Sequence, residues 1–207
     1  MQRPDSLPAQ LFLLAVDPHR QRLTARGEIG YLLRAAALVD LQLADHLVDD
    51  GGRPRASGNS QIPDPVLEAV LHQVAADPRR RWRYWLRKDA HRMVRAVREQ
   101  LVADRRIVLE RYRILGLIPA QRIVVLDPLV RDRIVGAVDA ALSDAWPVGE
   151  RTAALVALAA AAELRIVLPR TRRRENRARI AELTERAGPL PPLLRGVLRD
   201  LRAAAGG

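Results

Sequence analysis

The chain of 207 residues has no cysteine, one lysine (Lys88) and few aromatic side chains, 3% of the total. Without cysteine there is no disulfide framework, no thiolate metal site and no cysteine nucleophile, and a reducing compartment is the default expectation. The shortage of aromatics leaves Leu, Val, Ile and Ala to build the core, which favours helices over a β-rich fold. Long apolar runs are also missing. Leu11–Val16 is brief and no small-residue cleavage site follows it, and Ala153–Ala162 is cut off by Glu163 and Arg165. Spanning a bilayer takes roughly 20 apolar residues, so a soluble or peripheral protein is expected.

What is present is hydrophobic and basic. The hydrophobic share of 48% is too high for a disordered chain. Against 24 Asp and Glu stand 35 basic residues, a formal net charge of +11. That field attracts nucleic acid, an anionic membrane or acidic partners, and composition does not choose among them. The near-exclusive use of Arg, with abundant Ala, is also the mark of a GC-rich genome.

Periodicity predicts helices over Leu7–Val16, Ile29–Leu47, Pro65–Ala76, Asp89–Arg105, Pro128–Trp146, Glu150–Leu168, Thr171–Ala187 and Pro191–Ala205. Asp64-Pro65 and Asp127-Pro128 read as N-cap and first-turn pairs. Between Ile107 and Leu126 the period shortens around Pro119-Ala120-Gln121, which reads as a β-hairpin. Residues 49–63 form a polar Gly/Pro/Ser stretch, long enough to mark a mobile or functional loop. The expectation is one mainly α domain over residues 1–207, with about eight helices around the apolar helix at Ile29–Leu47.

Catalytic signals are weak. His19, His46, His72 and His91 stand far apart, with no second metal ligand at helical spacing. Asp49 and Asp50 open the polar loop, where solvation explains them. Gly27-Glu28-Ile29-Gly30 precedes a helix without forming a phosphate-binding glycine motif. No enzyme, cofactor or metal is expected.

Three charged features carry more. In Arg79–Lys88, RRRWRYWLRK, aromatics alternate with cations, as in a nucleic-acid stacking platform or an interfacial anchor. The plainer reading, and the favoured one, puts Trp82 and Trp85 in the core while the arginines reach outward. Arg92, Arg95 and Arg98 recur every three residues, as solvated charge or as a phosphate-gripping row. With the following hairpin they also suggest a winged-helix-like nucleic-acid binder. Arg34 lies inside an apolar helix and needs either a partner such as Asp40 or an anionic ligand.

The order LFLLAVDPHRQRLT, YLLRAAALVDLQLADHLV, VREQLVADRRIVLERYRILGLIPAQRIVVLDP and RTAALVALAAAAELRIVLP resembles the Golgi phosphoprotein 3 domain family, from about Leu7 to Arg202. Together with the Arg-rich composition, the resemblance suggests a bacterial, actinobacterial-type member. It implies a helical domain with a protruding β-hairpin, bound peripherally to anionic phospholipid on the cytoplasmic face of a membrane. Eukaryotic members bind phosphatidylinositol 4-phosphate through a loop Trp, a helix Arg and two basic residues three apart, and use the hairpin for membrane contact and self-association. By position the helix Arg falls on Arg34. The basic pair falls on Arg95 and Arg98, or on Arg92 and Arg95 with a small shift. Ala25 stands where the family has its Trp. The hairpin element falls on Leu117, Ile118, Pro119 and Ala120, near the tip. A nucleic-acid regulator and a protein adaptor are the alternatives.

Overall fold

A helix that is apolar on every side has to be enclosed, and in the computed structural model this is the position of Ile29–Leu43. The structure describes residues 6–25, 27–58, 62–114, 117–143 and 147–206. In chain order, helix α1 (Leu7–Ala15) leads into the short pair β1 (Val16–Asp17) and β2 (Arg22–Leu23), then α2 (Ile29–Leu43). A second small pair, β3 (Leu47–Asp49) and β4 (Pro54–Ala56), precedes α3 (Pro65–Ala76), α4 (Trp82–Arg87) and α5 (Ala90–Ala103). The long hairpin β5 (Ile107–Ile114) and β6 (Ile118–Val125) follows. Helices α6 (Pro128–Leu142), α7 (Glu150–Ala161), α8 (Arg170–Glu175), α9 (Arg177–Arg186) and α10 (Leu190–Ala205) complete the described chain.

Helix α2 packs against α1, α3, α4, α5, α7 and α10. Its neighbours α1 and α7 are themselves buried almost throughout, and the Ala-rich α7 permits close approach. Gly30 shows how tight the packing is. A Cβ placed there would lie 2.2 Å from the carbonyl oxygen of Ala90, so α2 and the start of α5 touch backbone to backbone.

The helix starts follow the expected chemistry. Asp64 Oδ1 accepts from the amides of Val66 (2.9 Å) and Leu67 (3.0 Å), and Asp127 Oδ1 accepts from Leu129 N (3.0 Å). The ends are less conventional. Helices α2, α5 and α7 each finish with a left-handed residue that is not glycine, namely Asp45, Arg105 and Glu163. In each case the next amide reaches back into the last turn, as in His46 N to Leu41 O, Arg106 N to Leu101 O and Leu164 N to Ala159 O. This closure stops α7 well short of Leu168. Likewise Asn176, whose side chain donates to Arg172 O, divides the expected Thr171–Ala187 helix into α8 and α9.

The sequence expectations need three further corrections. Residues 49–63 are not simply a loop, because 47–49 and 54–56 pair as strands. Asp49 is structural: its Oδ1 accepts from Trp82 Nε1 (2.6 Å) and Gly52 N (3.1 Å). Asp40 is not the partner of Arg34; it accepts from Leu7 N (2.7 Å) and forms a two-pronged ion pair with Arg151. The favoured reading of the Trp cluster holds, since Trp82 and Trp85 are each 2% exposed.

Candidate functional site

The hairpin is two structures in one. At its base, Ile107 and Ile123 are buried and Leu109 and Val125 pack against the core. Ile123 N also donates to Gln21 O (2.7 Å), which seats the β1–β2 turn against β6. Further out, Arg111, Tyr112, Arg113, Gln121 and Arg122 are all exposed. Antiparallel pairing persists through this outer half, with Arg111 opposite Gln121, Tyr112 opposite Ala120 and Ile114 opposite Ile118. The cross-strand pair of Glu110 and Arg122 (2.6 Å) is solvent-exposed. The element therefore projects from the body and is held together by its own ladder.

Leu117, in the turn, is 84% exposed. The other expected tip residues stand differently: Ile118, Pro119 and Ala120 open β6 rather than forming the turn. Ala120 is half-buried, and the side chains of Ile118 and Pro119 lie outside the described residues.

Beside the hairpin base is a cavity of about 280 Å³ enclosed by β2, the start of α2, α5 and the two long strands. Leu23, Ile29, Val94 and Leu109 supply its apolar walls, and Arg22 and Arg98 its charge. Arg98 is half-buried and its Nε is a buried donor without a hydrogen-bond partner. Among the described residues no carboxylate pairs with Arg98 or Arg22. Two guanidinium groups without a carboxylate partner among the described residues thus stand over an apolar floor, an arrangement whose chemistry suits an anion with a nonpolar portion.

The other expected arginines are not in this cavity. Arg95 projects from α5, where a hydrogen bond from its Nε to Glu99 (2.7 Å) and the carboxylate charge raise its pKa. Arg92 is also exposed, 3.7 Å from Asp89. Arg34, where the resemblance places the helix Arg of the headgroup site, lies inside the fold. It is 1% exposed, its Nε donates to Trp85 O (3.0 Å) and its Nη2 to Gln73 Oε1 (2.8 Å). Burial pushes its pKa down to about 10, with Asp89 and Tyr84 opposing the fall. Arg34 thus ties α2 to α3 and α4 from the inside. Sequence reasoning missed Arg22, because a two-residue strand leaves no periodic pattern.

No curated protein matches the chain. The family model for Golgi phosphoprotein 3 (GPP34) matches residues 7–201, spanning every element above apart from the end of α10. The chain belongs to the Golgi phosphoprotein 3 family.

Proposed function

We propose that the protein is a non-enzymatic peripheral membrane protein that binds anionic phospholipid headgroups, including phosphatidylinositol 4-phosphate-like ones, on the cytoplasmic face of a membrane. The observation that supports this reading is the adjacency of the Arg22–Arg98 cavity to a projecting hairpin with Leu117 at its turn. The cavity takes the phosphate oxygens, while Leu117 enters the interface and Arg111 and Arg113 lie near the lipid surface. Each basic residue near an anionic surface contributes about 1 kcal/mol, so several arginines with one apolar contact give reversible binding. Helices of the described chain are too short or too polar to cross a bilayer, which agrees with attachment from one side. Unpaired strand edges on the outer hairpin also offer a place for a second copy to pair.

Vesicle co-sedimentation tests the reading. Vesicles containing phosphatidylglycerol or phosphatidylinositol 4-phosphate should pellet the protein, phosphatidylcholine alone should not, and salt should weaken the interaction. Arg98→Gln should reduce pelleting severalfold at unchanged melting temperature. Equal pelleting with neutral vesicles, or tighter binding to duplex DNA than to every vesicle, overturns it; the DNA result favours the nucleic-acid alternative.

A further inference from the structure

A second cavity, about 610 Å³, has a different charge pattern. Residues 22–25 and 27–29 are divided between the two cavities. Arg22, Leu23 and Ile29 face the first, while Thr24, Ala25, Gly27 and Glu28 line the second. The remainder of the second wall comes from the segment after α7, the start of α8 and the end of α10.

Arg202 organises its floor. Nε and Nη2 donate to the two carboxylate oxygens of Glu28 (2.6 and 2.8 Å), and Nη1 donates to Glu163 (3.1 Å). Glu163 also meets Arg173 at 3.4 Å and Arg165 at 4.0 Å. Burial pushes the Glu163 pKa up, but Arg202 and Arg173 outweigh it and the net direction is down, so this carboxylate stays ionised. The side chain of Arg170, also in the lining, has no hydrogen bond or ion pair among the described residues.

Four arginines, at 165, 170, 173 and 202, therefore surround two carboxylates, Glu28 and Glu163. Among the described residues this network carries two more positive than negative charges; one of the four arginines, Arg173, stands against Glu163 outside the lining, and Arg165, Arg170 and Arg202 border the concave space, with apolar flanks from Ala25 and Ile166. Solvated surface arginines ordinarily stand on convex ground, where water and salt neutralise them. Here Arg165 and Arg170 border a cleft large enough for a small organic ligand. A phosphate monoester carries close to two negative charges at neutral pH, and its oxygens match the donor forks of guanidinium groups.

From this we infer that the cleft bounded by Ala25, Glu28, Glu163, Arg165, Arg170 and Arg202 is a second anion site, for a dianionic phosphate monoester. Arg165 and Arg170 hold the phosphate oxygens. The Glu28–Arg202–Glu163 network fixes the floor and keeps the site from accepting a larger number of negative charges. The monoester is either a free small molecule or the headgroup of phosphatidic acid, and both present the same terminal phosphate.

Glycerol 3-phosphate, titrated at constant ionic strength against sodium chloride, is the probe. It should raise the melting temperature of the wild-type protein and of Arg98→Gln alike. The double variant Arg165→Gln/Arg170→Gln, both exposed and expected to fold, should bind it at least tenfold more weakly while still pelleting with phosphatidylglycerol vesicles. Competition by phosphatidic acid vesicles identifies the lipid as the source; binding of glycerol 3-phosphate without such competition identifies a free ligand. A shift equalled by sodium chloride overturns the site. So does a shift lost in Arg98→Gln and retained in the double variant, which places the phosphate in the hairpin-base cavity. Because phosphatidylglycerol pelleting is scored separately, failure of this site is distinguishable from failure of membrane binding.

Discussion

Helix α2 and the β5–β6 hairpin both set charged residues among Leu, Ile and Val, with opposite results. In α2, Arg34 and Asp40 are 1% and 3% exposed, and each is answered by polar groups from other elements. In the outer hairpin, Arg111, Arg113 and Arg122 face water, and among the described residues there only Arg122 has a carboxylate partner. A charge in an apolar segment is therefore not in itself a sign of ligand binding. Its role is set by what the rest of the fold brings to it: a carbonyl and an amide for Arg34, solvent for Arg111. Interior charges specify the packing, whereas peripheral ones stay available to outside anions.

Removing Asp40 should expose the contrast most sharply. Asp40→Ala leaves the buried Leu7 amide without its acceptor and takes a carboxylate from Arg151, whose side chain is 40% exposed and can turn to water, so the cost should be about 3 kcal/mol, most of it from the orphaned amide. Thermal unfolding should fall by roughly 10 °C for a chain of this size. A change below two degrees would show that the carboxylate is dispensable.

Arg34→Met should have a smaller effect, about 1–2 kcal/mol, because two lost hydrogen bonds are offset by relief from burying a cation. Its pH signature is more specific. The folded pKa of about 10 lies below the ordinary 12.5, so between these values the unfolded chain holds the proton and the folded chain releases it. Wild-type stability should accordingly rise relative to the variant as pH increases through that window. A flat difference between the two chains, measured by denaturant unfolding, would remove the assigned burial cost.

On the hairpin, the same experiments should barely register. Leu117→Asp should alter the melting temperature by less than about 1 °C, since an exposed turn residue loses no packing. Vesicle pelleting should nevertheless drop severalfold; full retention would exclude the turn from membrane contact. Smallest of all, Glu110→Ala combined with Arg122→Ala should cost no more than about 0.5 kcal/mol, typical of an exposed pair. A loss above 1.5 kcal/mol would mean that the ladder depends on this contact.

The legible parts of the molecule were those governed by local pattern. Asp64-Pro65 and Asp127-Pro128 marked helix starts because capping is decided within four residues. The hairpin at 107–126 was evident from its change of period, and the two tryptophans from their spacing. Long-range choices were not legible. Asp40 is six residues from Arg34 yet pairs with Arg151, 111 positions away. The aspartate at 49 looked like loop polarity until Trp82, 33 residues on, was placed against it. For the candidate cavity, Arg98 could be anticipated from the basic row on α5, but Arg22 required the β1–β2 turn to dock on β6. The partners of Arg34, Trp85 O and Gln73 Oε1, lie 51 and 39 positions away and were equally beyond local pattern.

Gly30 makes the hairpin part of a lever. Its missing Cβ lets α2 seat directly on Ala90, the first residue of α5, and α5 passes through the turn at Arg105 into β5. Eight-residue strands extend roughly 25 Å, so a small tilt at that pivot is multiplied at Leu117. Even an alanine at position 30 has to push this fulcrum aside, and the displaced end would be the one we assign to the lipid surface. One hydrogen atom in the centre of the domain thus sets how closely α2 and α5 meet, and through α5 it bears on where the hairpin stands.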